Sequence, residues 1–342
     1  MRVFISGYYG FGNLGDEMLL DALKSLLLES GFRGENVCVL SASKEHTFRE
    51  HKLPSMNRLN LIGLLLKIRK GDILISGPGG LFQDTTGPWS PLFYSSHIFL
   101  AHARKAKVFL YGQSLGPIAR KANLALLKLV VSKASLVALR DKNMSYIVPN
   151  NKLFFTPDPA FALDFAVNEP IRREGVCFVF RKWYWDLEKI IQAILKLNTS
   201  LSIISFQPDL EREEGKRLSK KFGVPFYELV DWREALKLIS SFEILFGMRL
   251  HSLVVSALAS TPFVGISYDP KVKNLCELLK MPYISDEREL ALLDRYVGTL
   301  MVKWDRERER LKEKVQILRN EVKNVFKECM DILMGGNDAK WW

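Results

Sequence analysis

The sequence predicts an α/β protein of two doubly wound, Rossmann-type domains that face each other across a cleft, with a long C-terminal helix crossing them. Three observations lead there. Short apolar runs alternate with amphipathic stretches in two successive series. The ends of several of these runs are rich in glycine and polar residues. A polar, proline-bearing stretch, "DFAVNEPIRREG" (164–175), divides the two series. At 342 residues the chain is too long for one ordinary core and long enough for two.

The first series holds "RVFIS" (2–6), "VCVLS" (37–41), "DILIS" (72–76), "KVFLYG" (107–112) and "LVAL" (136–139). Between them, "DEMLLDALKSLLLES" (16–30) and "NLALLKLVVSKA" (123–134) place apolar residues at helical spacing. Strands without clean alternation, separated by helices, indicate a parallel sheet covered on both faces. The second series holds "VCFVF" (176–180), "LSIISF" (201–206), "EILFG" (243–247) and "PFVGIS" (262–267). The expected domains are therefore 1–168 and 169–302, followed by a helix and tail over 303–342. That helix, from Trp304 to Met334, has apolar residues at 304, 311, 315, 318, 322, 325 and 326 and basic residues on its other faces. It packs back across the domains or docks on a membrane surface.

Composition narrows the function classes. Apolar residues make up 48% and charged residues 25%, as in soluble globular proteins. No apolar run approaches the roughly 18 residues that a membrane span needs. "MRVFIS" opens as a strand without the flanks of a signal peptide, so a cytoplasmic protein is expected. Four dispersed cysteines, with no C-x-x-C pair, read as reduced structural thiols. The net charge of +11 suits an anionic substrate or membrane surface. Its basic residues are spread along the chain rather than gathered with aromatics, so no nucleic-acid partner is expected. There is no metal-ligand motif, no G-x-S-x-G elbow and no Walker A lysine; no metal is expected.

In doubly wound sheets the loops after the strand C-termini carry the chemistry. Here these loops are "SGYYGFGNLGDE", "SGPGGLFQDTTG" (76–87), "YGQSLGPI" (111–118) and "RDKNMS" (140–145). Any one could be a tight turn; four on one sheet edge read as an extended binding surface. "GFGNLG" is literally the G-x-G-x-x-G of dinucleotide sites, but two features oppose that reading. The second strand ends in Ser41-Ala42-Ser43 without an acid for ribose, and Asp16 and Glu17 occupy the helix start where a pyrophosphate would sit. A loop offering Gly12, Asn13 and Asp16 suits a neutral polyhydroxylated ligand such as a sugar. Gly79, Gly80, Asp84 and Gln113 from the neighbouring loops complete the candidate surface.

The second half has the opposite character. "FGMRLHSLVVSALA" (246–259) places Arg249 and His251 where a strand meets an apolar helix. In "SYDPKVKNL" (267–275), Asp269 reads as an N-cap, Pro270 as the first helical residue and Lys271 as the next. Two helix N-termini with Arg249, His251, Lys271 and Lys273 form an anion trap. Arg181 in "FRKW" is either a further anion contact or an ion-pair partner.

The motifs "GYYGFGNLGDE", "GPGGLFQD", "GQSLGP", "LRD", "PDPAF", "FRKWYW", "GMRLHSL" and "YDPKV" follow one another from residue 7 to about 273. In this combination the chain resembles the polysaccharide pyruvyltransferases, in particular their CsaB-like branch, which modifies cell-wall polysaccharides. The resemblance implies a GT-B-like fold and an enzyme that moves pyruvate from phosphoenolpyruvate to two hydroxyls of a sugar. A pyruvate ketal forms and phosphate leaves. It implies phosphoenolpyruvate as donor substrate, no cofactor, and a cell-surface polysaccharide or its lipid-linked precursor as acceptor, met at the inner face of the membrane. Matching positions make Arg140, His251 and Lys271 the donor-handling, catalytic residues, and put Asn13 and Asp16 on the acceptor side. His251 would be general acid or phosphate partner; Arg249 would join the clamp. One departure is Pro78, which stands where the family has a glycine and removes an amide N–H. The rival reading is a GT-B glycosyltransferase using a nucleotide sugar. Oligomeric state and acceptor identity stay open.

Overall fold

The computed structural model describes residues 1–85, 87, 89–164 and 172–335. The chain divides into two compact units. The first takes residues 1–11, 16–163 and the chain from Leu318; the second takes residues 12–15 and the chain from Asp164 to Ile317. The boundary expected after residue 168 lies outside the described residues.

The first unit is a parallel sheet with helices on both faces. In chain order it contains β1 (Val3–Ser6), α1 (Leu14–Glu29), β2 (Val37–Ser41), α2 (Lys44–His51), β3 (Ser55–Asn57), α3 (Leu61–Lys67), β4 (Ile73–Ser76), α4 (Ser90–Ala103), β5 (Lys107–Gln113), α5 (Lys121–Lys133), β6 (Leu136–Leu139) and β7 (Leu153–Phe155). The sheet order is β3-β2-β1-β4-β5-β6-β7. Every residue of β1, β4 and β6 is buried, which is why these strands read as unbroken apolar runs. The chain order reverses between β1 and β4, whose registers align Val3 with Ile73 and Ser6 with Ser76.

The second unit contains β8 (Val176–Val179), α6 (Leu187–Leu195), β9 (Leu201–Ser205), α7 (Pro208–Phe222), β10 (Phe226–Glu228), α8 (Trp232–Ser240), β11 (Ile244–Gly247), α9 (Leu250–Leu258), β12 (Phe263–Ile266), α10 (Pro270–Leu279), β13 (Tyr283–Ile284) and α11 (Leu293–Val302). Its parallel order is β10-β9-β8-β11-β12-β13, with the reversal between β8 and β11. α12 (Trp304–Met334) follows. Its first half belongs to the second unit, where Trp304 Nε1 donates to Glu243 O at 2.9 Å. Its second half belongs to the first unit, where Phe326 packs on Phe109 and Tyr111. The apolar stripe of this helix is thus spent on packing: Leu311, Val315, Leu318, Val322 and Phe326 are buried.

Candidate active site

In open α/β sheets ligands bind beyond the carboxyl ends of the strands, where the strand order reverses. In the first unit that place is framed by the turn after β1 and the turn after β4. Tyr9 is fully buried, and its ring explains two glycines. A Cβ on Gly7 would stand 2.3 Å from the Tyr9 ring, and one on Gly77 would stand 2.2 Å from its hydroxyl. Asp16, in the first turn of α1, lies beside Gly79: a Cβ there would meet Asp16 Oδ1 at 3.8 Å. The Asp16 charge and the burial of the site both push the Tyr8 and Tyr9 hydroxyls up, burial being the larger cause.

Glu17 is held away from any ligand role. Its Oε1 accepts Gly10 N–H at 2.8 Å, and its Oε2 lies 2.9 Å from His51 Nε2. On the other side of the ring, His51 Nδ1 lies 2.7 Å from Asp21 Oδ1. His51 is 2% exposed. Burial disfavours its charged form, but the hydrogen bonds and charges of Asp21 and Glu17 outweigh burial and raise its pKa from 6.5 to about 9. Both ring nitrogens then donate, and the imidazolium ties α2 to α1 and, through Glu17, to the Gly10 turn.

A group whose folded pKa is raised stabilises the fold fully below its unfolded pKa, and that stability is lost as pH rises through the folded value. For His51 the window is pH 6.5 to about 9, and the contribution is about 3 kcal/mol. The expected result is that the difference in urea-unfolding midpoint between wild type and His51→Gln shrinks as pH rises across this window. Parallel pH profiles for the two proteins would rule out a charged His51.

Other sequence-selected groups of the first unit are engaged in building the loops. The Gln113 side chain is buried and donates to Ser76 O and Gly77 O. Gly79 N–H donates to Gly112 O, which leaves half-buried Gly80 as its neighbour in the turn. Asp84 accepts Ala119 N–H, Arg120 N–H and Asn123 Nδ2, and so ties its own loop to the start of α5. Arg140 is buried in an ion pair with Asp158, and its main-chain N–H donates to Gln113 O.

The second unit gathers a different set. Residues 12–15 belong to it: Leu14 N–H donates to Phe206 O at 3.2 Å, and a Cβ on Gly12 would lie 3.8 Å from Asp209. Asn13 Oδ1 accepts Gly15 N–H at 3.1 Å, so this side chain caps the start of α1. Gly15 is where His251 comes in. A Cβ at residue 15 would stand 2.2 Å from His251 Nδ1, a contact only glycine permits. Arg249 is the residue before α9, and its guanidinium is tied to Glu211, which is 1% exposed, and to Gln207 Oε1 at 3.2 Å. Glu211 also accepts the Ser205 hydroxyl at 2.6 Å.

Arg181, after β8, donates to the Tyr268 hydroxyl at 2.7 Å and lies over the Trp183 ring at 5.2 Å. Among the described residues no carboxylate pairs with it. Burial pushes the Tyr268 hydroxyl up, and the charges of Arg181 and Arg249 oppose that shift. Asp269 caps α10 by accepting Lys271 N–H at 2.9 Å, with Pro270 in the first turn. Among the described residues no cluster of His, Cys, Asp and Glu could hold a metal ion.

His251 with Gly15, and Arg181 with the segment that leads to Lys271, are therefore brought together. Tyr9, Tyr268, Glu211 and the pair His51–Asp21 were not singled out in the sequence. Tyr9 and Tyr268 lie inside quoted motifs; nothing local marks Glu211 as the partner of Arg249.

The family model for polysaccharide pyruvyl transferases matches residues 13–270. No curated protein matches the chain. Among solved structures, HepE of Anabaena in complex with UDP is 9% identical with a TM-score of 0.65, covering 98% of this chain and 100% of that one. A putative UDP-N-acetylglucosamine 2-epimerase from Listeria monocytogenes is 10% identical with a TM-score of 0.65, over 99% and 98% of the two chains. A glycosyltransferase from Rickettsia africae is 9% identical with a TM-score of 0.61, over 99% of each. At these identities the likeness shows the fold, two parallel-sheet α/β domains of GT-B-like type with a C-terminal helix.

Proposed function

Because the chain belongs to the polysaccharide pyruvyl transferase family and is therefore a transferase with a sugar-containing acceptor, we propose that it transfers pyruvate from phosphoenolpyruvate to two hydroxyls of that sugar. The observation that carries this reading is Arg181 donating to the Tyr268 hydroxyl at 2.7 Å, just past the carboxyl ends of β8 and β12. A small trianion suits such a place: Arg181 has its charge against aromatic rings rather than a carboxylate, and Lys271 stands at the start of α10. Arg249, neutralised by Glu211, positions the turn that carries His251.

In the proposed reaction His251 gives a proton to the methylene carbon of phosphoenolpyruvate, leaving cationic character on C2. One sugar hydroxyl bonds to C2 and releases its proton. The bond from C2 to the phosphate oxygen breaks, and the second hydroxyl bonds to C2 to close the ketal. One hydroxyl proton restores the acid and the other leaves with phosphate, so the step balances. Arg181 and Lys271 stabilise the charge as it moves. Arg140, paired with Asp158, steadies the loop at Gln113. The proposed acceptor is a lipid-linked precursor met at the cytoplasmic membrane face; no described helix is long and apolar enough to cross a membrane.

The test is phosphate release from phosphoenolpyruvate in the presence of lipid-linked acceptors containing an N-acetylhexosamine, with a ketal in the product. Release that depends on no acceptor across a broad panel would count against the reading. The rival is a nucleotide-sugar glycosyltransferase, favoured by the UDP in the Anabaena structure. It would be supported by thermal stabilisation with UDP-sugars and none with phosphoenolpyruvate.

A further inference from the structure

α3 is a helix with almost nothing to bury. Of "LIGLLLK", Leu64 alone is buried. Ile62 and Leu66, four apart and so on one face of the helix, are 72% and 71% exposed, and Leu59, in the turn before the helix, is 70% exposed. α3 packs against α4, whose leading residues add Trp89 at 72% and Leu92 at 50% exposure. Arg58 fastens the start of α3 to α4, lying 4.2 Å from the Phe93 ring centroid and 5.4 Å from that of Tyr94. Scattered exposed leucines are ordinary, but a helix face of this kind marks an interaction surface.

Its flanks say what the partner is. From His51 to Gly71 the sequence has no Asp or Glu, while Lys52, Arg58, Lys67, Arg69 and Lys70 are basic. Lys52, Lys67, Arg69 and Lys70 are exposed. Apolar side chains ringed by cations fit the interface of an anionic bilayer, into which the apolar face sinks while the cations meet headgroups. A second copy of this chain fits poorly, because a two-fold contact would set the same cations against one another. A buried spanning role is excluded for a helix of this length.

We propose that Leu59, Ile62, Leu66 and Trp89, with Lys67, Arg69 and Lys70, form a docking surface for anionic lipid membranes. This surface gives the proposed enzyme a place to meet a lipid-linked acceptor. Its test needs no turnover, so failure of either reading is seen separately.

The experiment is flotation of the full chain with vesicles of equal parts phosphatidylglycerol and phosphatidylcholine, against phosphatidylcholine alone, at low and high salt. Binding is expected to the anionic vesicles only and to weaken with salt. Ile62→Ser with Leu66→Ser, both at exposed positions, should weaken binding about 10-fold or more, and Lys67→Glu with Lys70→Glu by a similar factor. Unchanged far-ultraviolet circular dichroism and melting temperature show that the variants fold. No flotation of the wild type, or equal flotation of the variants, overturns the proposal. So does a wild-type dimer that the serine variant converts to monomer without any vesicle binding, since the surface would then belong to a second copy.

Discussion

His251→Ala is expected to lower the rate of acceptor-dependent phosphate release from phosphoenolpyruvate at least about 100-fold, the usual size of one acid–base or electrostatic contribution. The position of the ring makes the experiment informative. His251 lies in the first turn of α9 and fills the space over Gly15, where any Cβ would collide with the ring. Removing the ring opens a gap beside Gly15, while the neighbouring Arg249 keeps its own partners Glu211 and Gln207. The variant should therefore fold, which circular dichroism and the melting temperature check. A fall in kcat with little change in KM marks a group acting in the transition state. Activity near that of the wild type would return His251 to a packing role.

The parallel core was legible because both of its faces are covered. β1, β4, β8 and β11 are buried at every residue and appear as continuous apolar runs. The edge strands β3, β7, β10 and β13 were not legible. They are two or three residues long and partly exposed, as at Tyr227, so they leave no run to read. α1 starts at Leu14, two residues ahead of the apolar pattern, because Asn13 caps it. The site divides in the same way. Glycines and charges at strand ends point to the right loops, since strained turns and helix starts need particular residues locally. What a charge is paired with is a long-range property: Arg249 and Glu211 are 38 positions apart, and His51 and Glu17 are 34. Arg249 and Arg181 look alike as sequence, yet one faces a buried carboxylate and the other faces aromatic rings.

That distinction sets the second large effect. Arg249→Ala should cost about 3–5 kcal/mol of stability, because it leaves the Glu211 carboxylate buried without its cation. Joining Arg249→Met to Glu211→Gln should recover most of this loss. The glutamine can still accept from the Ser205 hydroxyl, which now donates to Glu211 Oε2, and no buried charge remains. Urea unfolding of Arg249→Met, Glu211→Gln and the double variant closes the cycle. If the double variant is as unstable as Arg249→Ala, the pairing is not what holds this corner. The refolded double variant then separates two roles for Arg249 in catalysis. A guanidinium already neutralised by Glu211 contributes by holding the β11–α9 turn, so kcat should fall while KM for phosphoenolpyruvate moves little. A guanidinium that clamps the donor would instead raise KM, in which case Arg181 and Lys271 are not sufficient for the anion and Arg249 must exchange its carboxylate partner for the substrate.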